Sequence, residues 1–255
     1  MSWIAAVDYS QGTSHRRDGI PCQDYGRILQ PHEDLVIAAV SDGAGSARFS
    51  RIGARIAANT ASEWLERRIG SHPGMRGRVS NLGTDDLFDG LTGVIHAALM
   101  AAANDNHAGL ADFACTLTLL AMAPNEVTAA QIGDGMAVAR MDQDDYALLI
   151  EPDRGEYANE TSFITDADAR ERLRTNTLSG PVRFISATTD GLLPVLFDTR
   201  RKMPHSPFFE PIDSFTRNTD SAVQVHDGLR DFLRSERLTE LVDDDLTLMV
   251  CGWHG

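Results

Sequence analysis

Cysteine is scarce. There are three in 255 residues, Cys22, Cys115 and Cys251, far apart and with no Cys-x-x-Cys pair. That excludes a disulfide framework and a zinc knuckle. None stands in a Cys-x5-Arg arrangement, which speaks against a cysteine nucleophile cradling a phosphate. Cys115 and Cys251 lie in apolar runs and read as core residues. Basic charge is also short: 23 Lys plus Arg stand against 37 Asp plus Glu, a net charge of −14. A chain so acidic is not expected to take a nucleic-acid backbone or an anionic membrane as its main partner. The balance suits solubility, and equally a protein that gathers carboxylates around divalent cations. No apolar run approaches a membrane span, and Met1 to Val7 has neither a basic start nor a long apolar segment, so no signal peptide is expected. The expected location is the cytoplasm. No repeat, low-complexity tract or composition break divides the chain, so a single domain over residues 1–255 is expected.

What the sequence does have is a recurring design. Leu35 to Val40 is an apolar run that ends on Asp42 and then on Gly43, Ala44, Gly45 and Ser46, almost without side-chain bulk. Taken alone, Asp-Gly is an ordinary turn. The design returns, however. Asp134 follows Val127 to Ile132, Asp190 follows Val182 to Ala187, and Asp244 precedes Leu246 to Cys251. In antiparallel pairing these strand ends would gather four acids on one sheet edge. Clustered carboxylates need compensating charge, which hard divalent cations such as Mg²⁺ or Mn²⁺ supply through oxygen ligands.

The periodicity predicts strands at Trp3–Val7, Tyr25–Leu29, Leu35–Val40 and Phe113–Met122. A meander Val127–Ile132, Met136–Met141, Tyr146–Ile150 follows, with Gly133-Asp134-Gly135 readable as a hairpin turn. Helices are expected at Ser50–Ile69, with Ile52, Ile56, Thr60 and Trp64 on its apolar face and Leu65 and Ile69 extending it, and at Thr84–Asn104, with Leu87, Leu91, Ile95 and Leu99. Ser50 and Thr84 are the expected caps. Residues 151–180 read as a polar flap. Strands Val182–Ala187 and Leu246–Cys251 and helices at Asp213–Asn218 and Ser221–Ser235 complete the pattern.

In this order the motifs resemble those of the metal-dependent protein Ser/Thr phosphatases of the PPM, or type 2C, class. Asp42-Gly43-Ala44-Gly45-Ser46 matches the family's Asp-Gly-x-Gly-Gly. Ala114 to Leu117 loosely matches its Gly-Ser-Thr-Ala, and Gly133-Asp134-Gly135 its Gly-Asp-Ser. Thr189-Asp190-Gly191 matches Ser-Asp-Gly, and Asp244-Asp245-Leu246-Thr247 matches Asp-Asn-x-Thr. The resemblance covers nearly the whole chain. It implies an α+β fold, a four-layer α-β-β-α sandwich of two antiparallel sheets flanked by helices.

By the same resemblance, Asp42 would bridge two Mg²⁺ or Mn²⁺ ions, Gly43 would offer its carbonyl, and Asp190 and Asp244 would hold the first ion. Gln23 and Asp24 would stand near the second ion, and Asp134 at a third site. A metal-bridging hydroxide would attack a phosphoserine or phosphothreonine directly. The partners implied are a phosphorylated protein and an opposing kinase.

Departures from the pattern are specific. The family's Arg-x-x-Asn-Glu-Asp segment is replaced by His15-Arg16-Arg17, then Cys22-Gln23-Asp24. Arg17 or Arg16 is the expected phosphate clamp, and His15 a candidate proton donor, since Ala44 stands where many members have His. Pro194 stands where an acid often serves the third metal. These departures motivate two alternatives: a pseudophosphatase that binds a phosphoprotein or kinase, and a phosphatase dedicated to an anti-sigma-factor antagonist.

Overall fold

The computed structural model describes residues 2–74, 77–142, 145–152 and 161–254. In chain order its elements are β1 (Ser2–Ser10), α1 (Thr13–Asp18), β2 (Tyr25–His32), β3 (Leu35–Ser41), α2 (Ser50–Ser71), α3 (Thr84–Phe88) and α4 (Leu91–Asp105). Then come β4 (Leu117–Ala123), β5 (Glu126–Ile132), β6 (Met136–Met141), β7 (Tyr146–Ile150), α5 (Ala169–Arg172), β8 (Arg174–Ser179) and β9 (Val182–Thr188). The chain closes with α6 (Leu193–Leu196), β10 (Phe197–Asp198), β11 (Met203–Pro204), α7 (Ser206–Arg217), α8 (Ala222–Leu233), α9 (Glu236–Thr239) and β12 (Leu246–His254).

Two five-stranded antiparallel sheets, in the orders β1-β12-β9-β6-β7 and β2-β3-β4-β5-β8, stack face to face. The alternation of β3 shows why its sequence is apolar throughout. Val36, Ala38 and Val40 meet Leu120, Ala139, Ile185 and Met249 between the sheets. Ile37 and Ala39 face outward, onto α2 and α4. A strand covered on both faces has no polar side to show. On the other flank, Leu229 and Leu233 of α8 pack on Phe184, Leu248 and Val250. This is the expected α-β-β-α sandwich. Truncating a side chain such as the fully buried Leu119 to Ala costs about 2–5 kcal/mol in such a core.

Several expectations need correction. The buried face of α2 is not the Ile52 stripe: Ile52 is 42% exposed, while Ala54, Ala57, Ala58 and Ala61 are fully buried. Small residues let the helix approach its neighbours closely, and a Cβ on Gly53 would lie 2.1 Å from the Phe113 carbonyl oxygen. Along the first half of the helix the close approach leaves room only for small side chains, while farther on Leu65 and Ile69 are buried as expected. The second expected helix is broken at Asp89–Gly90, where Gly90 takes φ +88, although its stripe Leu87, Leu91, Ile95 and Leu99 is buried as predicted. Phe49 and Gly83, not Ser50 and Thr84, occupy the cap positions.

The meander does not exist as one sheet. β5 pairs with β4 and β8, β6 with β7 and β9, so residues 133–135 carry the chain from one sheet to the other. Residues 151–180 are not all flap: Arg174–Ser179 is the edge strand beside β5. Residues 153–160 of that expected flap lie outside the described residues. Thr84–Asp105 does reach the length and mean hydropathy of a membrane span, contrary to the sequence reading. Its apolar stripe faces the α2 and β4 core.

Candidate metal centre

The acids come from both sheets and meet at one end of the sandwich, rather than along one sheet edge. Asp42 follows β3 and Asp134 follows β5 in one sheet; Asp190 follows β9 and Asp244 precedes β12 in the other. Asp24 sits at the start of β2. It is 3% exposed, and its Oδ2 accepts the hydroxyls of Thr189 (2.7 Å) and Thr247 (2.8 Å) from the opposite sheet.

These carboxylates feel one another. Burial, then the charges of Asp42, Asp134 and Asp244, pushes Asp190 up to about 8. Burial, then the charge and hydrogen bond of Asp24, then Asp244 and Asp134, raises Asp42 well above the usual carboxylate range. Burial raises Asp24 as well, opposed by its two threonine donors. Asp134 is tied to the Thr161 hydroxyl at 2.7 Å. Among the described residues no three His, Cys, Asp or Glu side chains close on one metal-sized point. The five acids stand within electrostatic reach of one another without forming a finished cage.

The turns that deliver them depend on close backbone approach. A Cβ on Gly43 would lie 2.7 Å from the Ser50 carbonyl carbon, so glycine lets the start of α2 seat against the Asp42 turn. Asp42 and Thr116 bond reciprocally: the Asp42 amide donates to Thr116 Oγ1 (3.0 Å) and the Thr116 amide to the Asp42 carbonyl (2.8 Å). A Cβ on Gly191 would lie 2.0 Å from the Asp245 carbonyl oxygen, which holds the Asp190 turn against the Asp244 strand.

The residues expected to clamp phosphate divide. Arg17 is exposed and pairs with Asp18 at 3.1 Å, and Arg16 donates to the Gln11 carbonyl at 3.3 Å. Both bond within their own loop, away from the acids. His15 instead contacts buried Asp245 at 2.9 Å. Gln23 is buried, its amide donates to Asp245 Oδ2 (2.6 Å), and its Oε1 has no hydrogen-bond partner among the described residues. Sequence reasoning missed the anchoring role of Asp245, which looks like part of the Asp243–Asp245 charge run. It also missed Thr189 and Thr247, although both lie inside the motifs.

An all-oxygen set of mutually repelling carboxylates, Asp24 buried, Asp42, Asp134 and Asp190 half-buried and Asp244 exposed, with an orphaned Gln23 oxygen beside it, fits hard divalent cations. A family model described as Protein phosphatase 2C matches residues 11–234. The chain belongs to the protein phosphatase 2C family. The fold and the expected enzyme class, a protein serine/threonine phosphatase, stand with it. Serine/threonine-protein phosphatase 3 of Escherichia coli is 34% identical over 263 residues, covering 99% of each chain. The solved serine/threonine phosphatase Stp1 from Staphylococcus aureus superposes with a TM-score of 0.66 at 13% identity, over 100% of this chain and 96% of that one. The catalytic domain of the protein phosphatase PstP, solved with 2 manganese ions, gives 0.62 at 15% identity over 100% and 99%. At such identities the two solved structures show the fold alone. Within this protein phosphatase 2C chain the thiols stay inert: burial raises Cys22 strongly and pushes Cys115 up to about 12.

Proposed function

We propose that this chain is a single-domain, cytoplasmic, Mg²⁺- or Mn²⁺-dependent phosphatase of phosphoserine and phosphothreonine in proteins, opposing a cognate kinase. The observation that carries the reading is the meeting of Asp42, Asp190 and Asp244, from two sheets, with raised proton affinity on Asp42 and Asp190. In this reading Asp42, Asp190 and Asp244 hold two cations with the Gly43 carbonyl, Asp24 and Gln23 support the second, and Asp134 serves a third position. Bound there, the cations would lower the pKa of a water and neutralise phosphoryl charge.

The protein's own part is positional. Thr189 and Thr247 fix the orientation of Asp24. The Asp42–Thr116 bonds fix the turn that aims Asp42. The raised thiols leave no cysteine nucleophile, so the reading is direct hydrolysis without a covalent phosphoenzyme. Retention of all these acids favours an enzyme over a pseudophosphatase.

The test is hydrolysis of an aryl phosphate and a phosphothreonine peptide with Mn²⁺, Mg²⁺ or chelator. Turnover should need the cation and nearly vanish in Asp42→Asn. Full activity in chelator would overturn the reading.

A further inference from the structure

The protein is strongly acidic, yet one lip of the candidate centre is arginine-rich. Arg48, Arg51 and Arg55 are exposed on the turn into α2 and its first turns. At helical spacing Arg51 and Arg55 fall about 40° apart, on one face. Among the described residues none of the three pairs with a carboxylate, and the first acid along the helix, Glu63, is taken by Arg27 at 2.8 Å.

Aromatic rings hold two of the three guanidinium groups in place. Arg48 lies 4.8 Å from the Phe49 ring centre and Arg55 5.9 Å from that of Tyr25. Tyr25 in turn meets Tyr9 at 5.7 Å. Tyr25 directly follows Asp24, and Ser50, next to Arg51, is the residue that a Cβ on Gly43 would strike. The arginines therefore begin at the rim of the acid cluster and lead away from it along α2.

We propose that this arginine ridge docks an acidic stretch of the phosphoprotein beside its phosphorylated serine or threonine. The proposal rests on the phosphatase reading above. Guanidinium forks suit carboxylates bidentately. The ridge from Arg48 to Arg55 spans about 10 Å, the length of about three extended residues. On a body of net charge −14, which repels acidic segments, a local cationic ridge decides which acidic segment can approach and how fast.

The experiment compares two phosphothreonine peptides, one flanked by three acidic residues and one by three basic ones. Binding is followed by fluorescence anisotropy, and turnover by phosphate release in Mn²⁺. At low salt the acidic peptide should bind about tenfold more tightly, an advantage that high salt removes. Arg51→Glu with Arg55→Glu should reverse the preference, and Arg51→Gln with Arg55→Gln should abolish it. An aryl phosphate too small to reach the ridge should be hydrolysed by both variants at close to the parent rate. Equal binding of the two peptides by the parent protein, or a preference that survives charge reversal, would overturn the proposal. If the aryl phosphate is not hydrolysed but the peptide preference holds, the docking surface stands and the phosphatase reading falls. If a double variant fails to fold, Arg55→Gln alone, at an exposed position, should still weaken the preference, and an unchanged preference in it would overturn the proposal.

Discussion

His15 Nδ1 lies 2.9 Å from Oδ2 of Asp245, and that carboxylate also closes the ends of the His15 loop. Oδ1 accepts the Gly12 amide at 2.7 Å and Oδ2 the Gln23 amide at 2.6 Å. One buried side chain, next to Asp244, thus pins residues 12–23 onto the strand that carries a proposed ligand. Asp245→Ala strands two amides and an imidazole together. We expect a loss of about 3 kcal/mol in urea denaturation, with a fall in activity as Gln23 and Asp24 shift. Asp245→Asn keeps one acceptor oxygen and should fall between the two. A variant as stable as the parent would show that the clamp carries nothing.

Gly191 is the second tight point. An added methyl would lie 2.0 Å from a backbone oxygen of Asp245, which has no rotamer by which to move away. Gly191→Ala should therefore separate the Asp190 turn from the Asp244 strand. Activity on an aryl phosphate should drop by more than about tenfold, more than 1.4 kcal/mol, and cation affinity should weaken. Gly70→Ala, where nothing lies within 4 Å of the new carbon, is the control that should leave both unchanged.

The layers and most elements were legible because strands covered on two faces must be apolar, and because each acid is fused to such a run. Leu91, Ile95 and Leu99 were readable for the same reason. What failed depended on partners distant in sequence. The α2 face was misread because close packing selects Ala54, Ala57 and Ala58 over the larger Ile52 and Ile56. The Gly133-Asp134-Gly135 turn looked like a hairpin because a short link does not reveal that its two strands join different sheets. The convergence of Asp42, Asp190 and Asp244, the proposed ligands, is readable by pattern because each adjoins an apolar run. Asp245 was hidden in a charge run, since only the fold shows which of three adjacent acids points inward.

Burial gives the metal-free protein an unusual pH dependence. Asp190 keeps its proton up to about 8 in the fold, against an ordinary 3.8. Between those values the folded state binds more protons than the unfolded one. Stability therefore falls as pH rises through that window, the reverse of a salt-bridged carboxylate. In chelator, the melting temperature should be lower at pH 8 than at pH 5. Saturating Mn²⁺ at pH 8 should restore it, by about 2.7 kcal/mol at a hundredfold excess over Kd, on the order of 5–10 °C. A metal-free melting temperature that rises from pH 5 to pH 8 would contradict the buried-acid account.

The same logic separates stability from function at Asp42. Its carboxyl is raised by burial and by Asp24, Asp244 and Asp134, so ionising it works against the metal-free fold. Asp42→Asn removes that charge while nearly preserving volume. In chelator at pH 8 the variant should melt at or above the parent, by about 2–4 °C for each kcal/mol relieved. With Mn²⁺ the order should invert, because the parent gains the cation's binding energy and the variant loses most of it. Turnover should fall with that lost shift. A variant that is less stable in chelator yet keeps a full Mn²⁺ shift would mean that Asp42 is a structural acid, and the proposed bridge between two cations would have to be placed elsewhere.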